Sequence, residues 1–75
     1  MKTSEPREIK DPDTRDFAIV GIHKGRVVVE ANEWDLSLGV YRVVTLYLNP
    51  DNALKLAEQL VSCAAGANQE GAQSH

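Results

Sequence analysis

The chain has 75 residues, a formal net charge of −3 and one cysteine. This length allows one domain, and the acidic balance argues against the basic stripe of most nucleic-acid binders. No apolar run approaches the roughly 18 residues of a membrane span, and residues 1–10 lack the hydrophobic core of a signal peptide. We therefore expect a cytoplasmic protein, and a lone cysteine suits that reducing compartment.

The apolar residues are concentrated between Phe17 and Ala65. We predict a flexible charged arm over residues 1–16, a single α+β domain over 17–65 and a disordered tail over 66–75. The alternative for the arm is a segment that becomes ordered on a partner. A unit of roughly 50 residues is marginal alone, and neither an internal disulfide nor a cluster with metal-ligand spacing is available to stabilise it.

The first predicted element is a β-hairpin of residues 17–23 and 26–31. Lys24-Gly25 forms its tight turn, because glycine accepts the positive φ that such a turn requires. His23 then lies opposite Arg26, and one face of the hairpin is entirely apolar. That face carries Ala18, Val20, Ile22, Val27, Val29 and Ala31.

Residues 32–39 allow two interpretations. Trp34, Leu36 and Leu38 alternate with polar residues, which is typical of a short strand but also fits an ordered loop folded over the core. Gly39 predicts a turn before the next strand.

A third strand, residues 40–48, leads into an amphipathic helix that we predict to run to about Ala65. Asn49 is a suitable N-cap, Pro50 suits the first helical turn, and Gly66 predicts the end of the helix. The apolar arc of the helix consists of Ala53, Leu54, Leu56, Ala57, Leu60, Val61 and Ala64.

These elements predict an α+β fold. We expect a three-stranded antiparallel sheet in the order β-β-β-α, with the C-terminal helix packed on one face. The expected core consists of Val20, Ile22, Val27, Val29, Val44, Leu46, Leu48, Leu54, Ala57, Leu60 and Val61.

The other side of the third strand is the predicted binding surface. Its residues Tyr41, Val43, Thr45 and Tyr47 are called the tyrosine face below. Tyrosine and tryptophan are favoured at protein interfaces because they combine apolar area with a polar tip. The alternative is that residues 34–38 or the arm cover this face. Three further candidate binding residues form a predicted acidic patch with an aromatic anchor: Glu33, Trp34 and Asp35.

We predict no catalytic residue, metal site or cofactor. A dyad of Cys63 and His23 would require the end of the helix to meet the hairpin turn, and a free cysteine is most often a small buried hydrophobe. His75 is the last residue, and no glycine-rich phosphate loop is present.

The segment from Arg42 to Leu60 resembles the strand and first helix of ribbon-helix-helix repressors. In that family paired strands read the major groove and a second helix completes the dimer core. The resemblance therefore implies a small dimeric nucleic-acid-binding transcriptional regulator. No apolar periodicity follows Gly66 to supply the second helix.

Our functional prediction is a small non-catalytic protein–protein interaction module. Inhibitors and anti-defence proteins of phages and bacterial mobile elements are of this kind, and the nucleic-acid-binding regulator is the alternative. The small core and the open sheet edges also predict a homodimer, with the tyrosine face or an edge strand at the contact.

Overall fold

A computed structural model describes residues 6–73, which form one antiparallel sheet followed by one long helix. The four strands lie side by side in chain order, and each pairs with the next. They are β1 (Arg7–Lys10), β2 (Phe17–His23), β3 (Arg26–Asp35) and β4 (Val40–Leu48), and the helix is α1 (Pro50–Gln73). The α+β class and the C-terminal helix are confirmed.

The predicted number of three strands is wrong, because β1 adds a fourth. The sequence assigned this segment to a flexible arm, but Arg7 pairs with Val20 and Ile9 pairs with Ala18. Ile9 is flanked by charged residues, as is common on edge strands. Such a strand therefore has the composition of a solvated segment. Residues 1–5 of the predicted arm lie outside the described residues.

The predicted hairpin register is confirmed: His23 pairs with Arg26 and Val20 with Val29. The strand interpretation of residues 32–39 is correct as far as Asp35, because β3 extends to that residue. A turn follows, in which the Gly39 N–H donates to the Asp35 carbonyl at 2.8 Å.

The start of α1 agrees with the sequence, whereas its end does not. The side chain of Asn49 accepts a hydrogen bond of 2.8 Å from the Asn52 N–H, which confirms the N-cap. The predicted end at Gly66 and the predicted tail are wrong over residues 66–73, which continue the helix. A glycine inside a helix costs only about 1 kcal/mol, and the alanine, glutamine and glutamate residues around it favour helix.

The helix does not pack on the sheet, contrary to the prediction. Its contacts with β3 and β4 are sparse, Ala53 is half-buried, and residues 54–71 are all exposed. Asn49 alone connects β4 to α1, and so short a connection leaves little room for the helix to turn back over its own sheet.

The predicted core is therefore wrong for a single chain. No apolar residue in the described part of the chain is buried, and Asn32 is the one buried residue there. The register instead collects small and aliphatic side chains of all four strands on one side, which we call the aliphatic face. It consists of Ile9, Ala18, Val20, Ile22, Val27, Val29, Ala31, Val44, Leu46 and Leu48.

The solvent-accessible area of the chain also shows that its apolar residues are not buried. A compact chain of 8.2 kDa would expose about 4500 Å², whereas this chain exposes 6430 Å². The aliphatic face and the apolar arc of α1 contribute to the difference, because both lie open to solvent.

The β2–β3 turn gives a direct test of the sheet. Lys24 and Gly25 have φ values of 51° and 77°, the left-handed pair that favours Asn-Gly. Lys24→Asn should therefore stabilise the protein by several tenths of a kcal/mol, and Gly25→Ala should destabilise it by about 1 kcal/mol. Urea unfolding at one fixed protein concentration measures both. Equal stability of the two variants would contradict this turn geometry.

Candidate functional site

Residues of β3 and β2 extend the tyrosine face beyond β4, and from here on the name includes them. Antiparallel pairing places residues of the three strands side by side, and side chains in one row project from the same side of the sheet. Val43 and Tyr47 are exposed to 51% and 57%, so neither is covered by the described residues. The rows across β4, β3 and β2 are Tyr47–Val28–Gly21, Thr45–Glu30–Ile19 and Val43–Asn32–Phe17.

A groove lies on this face, toward the end of the sheet that carries the β2–β3 turn. It is open to solvent and has a volume of about 390 Å³. Gly21 contributes to its depth because it has no side chain, and Pro6 stands on one side: a Cβ at Gly21 would lie 3.7 Å from the Pro6 Cα. The lining residues are Pro6, Ile19, Gly21, Ile22, His23, Val28, Glu30, Thr45 and Tyr47.

Glu30 is the acidic residue of the groove. It is half-buried, and no described residue makes a hydrogen bond or an ion pair with its carboxylate. An unpaired carboxylate beside apolar residues favours a ligand that brings a cation or a hydrogen-bond donor.

Tyr41 differs from the other residues of the tyrosine face, because it belongs to an aromatic cluster. Its ring lies 5.1 Å from that of Phe17 and 4.9 Å from that of Trp34, both in edge-to-face orientation. The Arg15 guanidinium lies 4.2 Å from the centre of the Trp34 ring, which is cation–π geometry. Trp34 and Tyr41 are half-buried as a result.

This cluster holds the connection between β1 and β2 against the sheet. The Trp34 backbone N–H donates to the Asp16 carboxylate at 2.9 Å, and the Tyr41 hydroxyl donates to the Arg15 carbonyl at 3.3 Å. The Trp34 Nε1–H is shielded from solvent and has no partner in the described part of the chain. Trp34 therefore anchors the chain's own loop, and it is less available to a partner than the sequence suggested.

In the predicted acidic patch, the Trp34 ring and the two carboxylates lie on opposite sides of the sheet. Glu33 and Asp35 alternate with Trp34 along β3, so their side chains leave from the opposite side of the sheet. Glu33 lies beside Arg42 in the register, and the Arg42 guanidinium contacts the Asp35 carboxylate at 2.7 Å. Glu33 and Asp35 therefore lie at one end of the sheet, on the side opposite the tyrosine face.

Asp35 has an altered pKa. The Leu38 backbone N–H donates to its carboxylate at 3.0 Å and lowers the pKa most; burial opposes this effect, while the Arg42 and Ser37 hydrogen bonds lower the pKa further. The carboxylate therefore stabilises the β3–β4 turn in its charged form.

The other groups considered from the sequence do not come together. Cys63 lies on α1, which contacts β3 and β4, whereas His23 ends β2. Within residues 6–73, no three His, Cys, Asp or Glu side chains are grouped to hold a metal ion. His75 lies outside the described residues. In the same range, α1 lacks the combination of length and hydropathy that a membrane-spanning helix needs.

Comparison of the chain with protein-family models, curated proteins and solved structures finds no match. The ribbon-helix-helix resemblance is also limited by the fold. The described residues contain one helix, and β4 is paired with β3 of the same chain in a four-stranded meander.

Sequence reasoning placed four residues on one strand face but missed the groove. The hairpin register was a usable signal for Ile19, Val28 and Glu30, since it puts all three on the side opposite the aliphatic face. Pro6 was missed together with β1. Its position depends on pairing that the charged sequence of that strand does not reveal.

The altered pKa of Asp35 gives a test by pH. The folded pKa lies below the unfolded one, so the charged carboxylate contributes stability above the unfolded pKa and loses it as the pH falls through the folded pKa. Asp35→Asn should therefore be less stable than wild type at neutral pH, and the difference should shrink in acid. Urea unfolding across this range measures it, with Glu33→Gln as control. A pH-independent difference for Asp35→Asn would contradict the assignment.

Proposed function

We propose that the protein is a small, non-catalytic module that binds another protein through the groove of the tyrosine face. The observation that supports this proposal is the groove itself: an apolar floor of Ile19 and Val28 lies beside the exposed Tyr47 and the unpaired carboxylate of Glu30. A few polar groups placed around an apolar depression are typical of a binding site.

The residues of the groove indicate which side chains a partner would insert there. An apolar side chain would displace water from Ile19, Val28 and the open space at Gly21. A lysine or arginine beside it would pair with Glu30, and Tyr47 would cover the contact with a large ring at little entropic cost. The proposed ligand is therefore a protein segment with adjacent apolar and basic side chains.

The biological setting is part of the proposal and rests on analogy. A small binding module without catalytic groups fits an inhibitor or an anti-defence protein of a phage or mobile element. A cytoplasmic setting agrees with Cys63, whose thiol is free and exposed, because a reducing compartment preserves such a thiol.

Filling the groove tests the proposal. Gly21 has no positive φ, and a Cβ there would make ordinary contact with Pro6 at 3.7 Å, so Gly21→Ala should fold normally, and circular dichroism checks that Gly21→Val keeps the fold. Its side chain would occupy the groove and should weaken partner binding by at least about 10-fold, as expected for loss of one buried apolar contact. Gly21→Ala is the matched control, since it removes glycine but fills little space.

The three proteins should be tagged and used as baits in extracts of the source organism, with retained proteins measured by quantitative mass spectrometry. The partner should be retained by wild type and by Gly21→Ala, and lost with Gly21→Val; titration with the purified partner then gives the fold-change. Equal retention by all three would show that the groove is not the binding site.

A second candidate function is binding of single-stranded nucleic acid. The tyrosine face carries aromatic rings, and Lys10, Arg15 and Arg26 lie on or beside it. Aromatic side chains next to cations are the usual platform for stacked bases. Anisotropy of a labelled oligonucleotide, at low and at moderate salt, distinguishes the two functions. Binding that collapses with salt and with Tyr47→Ala would support this candidate, and no binding at low salt would eliminate it.

A further inference from the structure

The described residues form two apolar surfaces that are both exposed to solvent. The aliphatic face is open, with Ile22 exposed to 65% and Val44 to 60%. The apolar arc of α1 is also open, with Leu60 exposed to 61% and Val61 to 72%. Exposed apolar surfaces of this extent are unusual on a protein that acts alone.

We propose that two copies of the chain form a homodimer in which α1 of each copy packs on the aliphatic face of the other. The contact differs from the tyrosine face and edge strand that the sequence suggested. It is independent of the function proposed above, and it leaves the groove open on the outer side of each sheet.

The aliphatic face and the apolar arc of α1 have side chains that are suited to packing against each other. The aliphatic face is built largely from valine, alanine, leucine and isoleucine, without an aromatic ring. The helix offers leucines, valine and alanines, and Leu54, Ala57, Glu58 and Val61 line a shallow hollow along it. Residues at this spacing surround a hole into which a side chain of a facing layer can insert. Amphipathic helices of this kind are stabilised mainly by such packing.

The length of α1 and the exposed area of the chain are also consistent with this dimer. A helix of 24 residues is about 36 Å long, and four strands at about 4.8 Å spacing make a sheet narrower than this. The helix can therefore cross the whole aliphatic face of a second copy. The chain exposes roughly 1900 Å² more than a compact chain of its mass, which lies within the 1000–2500 Å² or so that each partner buries in an obligate dimer.

Stoichiometry favours a second copy over a different protein. Each chain has one apolar helix arc and one aliphatic face, so a twofold exchange of helices covers both surfaces on both copies. A foreign helix on the aliphatic face would leave the arc of α1 exposed. With Asn49 as the single linking residue, α1 makes only sparse contacts with its own sheet, which leaves its apolar arc accessible to another copy.

Neighbouring residues on opposite faces provide matched variants. Leu60→Asp on the helix arc and Leu46→Asp on the aliphatic face should each weaken dimerisation by more than about 100-fold, because each puts a charge into an apolar contact. Gln59→Asp, on the polar arc, should leave dimerisation unchanged. Thr45→Asp, next to Leu46 but on the tyrosine face, tests the rival contact. Sedimentation equilibrium over a wide concentration range measures all of them.

Mixing the two defective variants tests whether α1 of one copy packs on the aliphatic face of another. In a mixed dimer, the intact helix of Leu46→Asp lies on the intact face of Leu60→Asp, so one of the two contacts is restored. The equimolar mixture should therefore recover dimer mass and ellipticity that neither variant has alone, even where a variant is unfolded by itself.

Several results would overturn the proposal. A wild-type monomer at every concentration would mean that α1 closes on its own sheet or awaits a different protein. A mixture that recovers nothing would show that the helices are not exchanged. Dimerisation that survives both aspartate variants, or that Thr45→Asp abolishes while Leu46→Asp does not, would place the contact elsewhere.

Discussion

The whole structure depends on removing two apolar surfaces from water. The strands hydrogen-bond to one another through three antiparallel pairings, and the helix forms hydrogen bonds between its own turns. Neither element buries a hydrophobic side chain in the described residues of one chain. Because burial of apolar area is the main favourable term in folding, hydrogen bonding alone leaves this fold without its usual source of stability.

One end of the sheet is better consolidated than the rest. There Phe17, Trp34 and Tyr41 pack edge to face, and Arg15 and Asp16 tie the β1–β2 connection to β3 and β4. Asp35 closes the adjacent turn. These contacts organise the tyrosine face without filling it, so the groove around Gly21 remains open while its margins are held in place. A binding surface benefits from such a rigid frame.

The sequence was most informative where local chemistry decides structure. The alternation of apolar residues and the Lys24-Gly25 turn were sufficient for the hairpin register, and Asn49-Pro50 was sufficient for the start of α1. The sequence was least informative where pairing between strands decides the structure. β1 consists mostly of charged residues and is a strand because β2 offers it an edge. Gly66 does not end the helix, because the residues around it favour helix.

The prediction that the helix packs on the sheet failed for a more general reason. Periodicity shows that Leu54, Leu60 and their neighbours form an apolar arc, but it does not show which chain covers that arc. The same limit affected the candidate site. The tyrosine face follows from strand alternation alone, and alternation would also have separated Glu33 and Asp35 from Trp34 if residues 32–35 had been read as strand. The groove needed the neighbouring strands and Pro6.

The claim that one chain cannot bury its apolar surfaces alone is tested most directly by urea unfolding at several protein concentrations. If folding requires a second copy, the unfolding midpoint should rise with concentration, with about 1.4 kcal/mol of added stability for each tenfold increase in protomer. A midpoint that stays constant over a hundredfold range of concentration would show that the single chain is stable by itself, and would contradict the account.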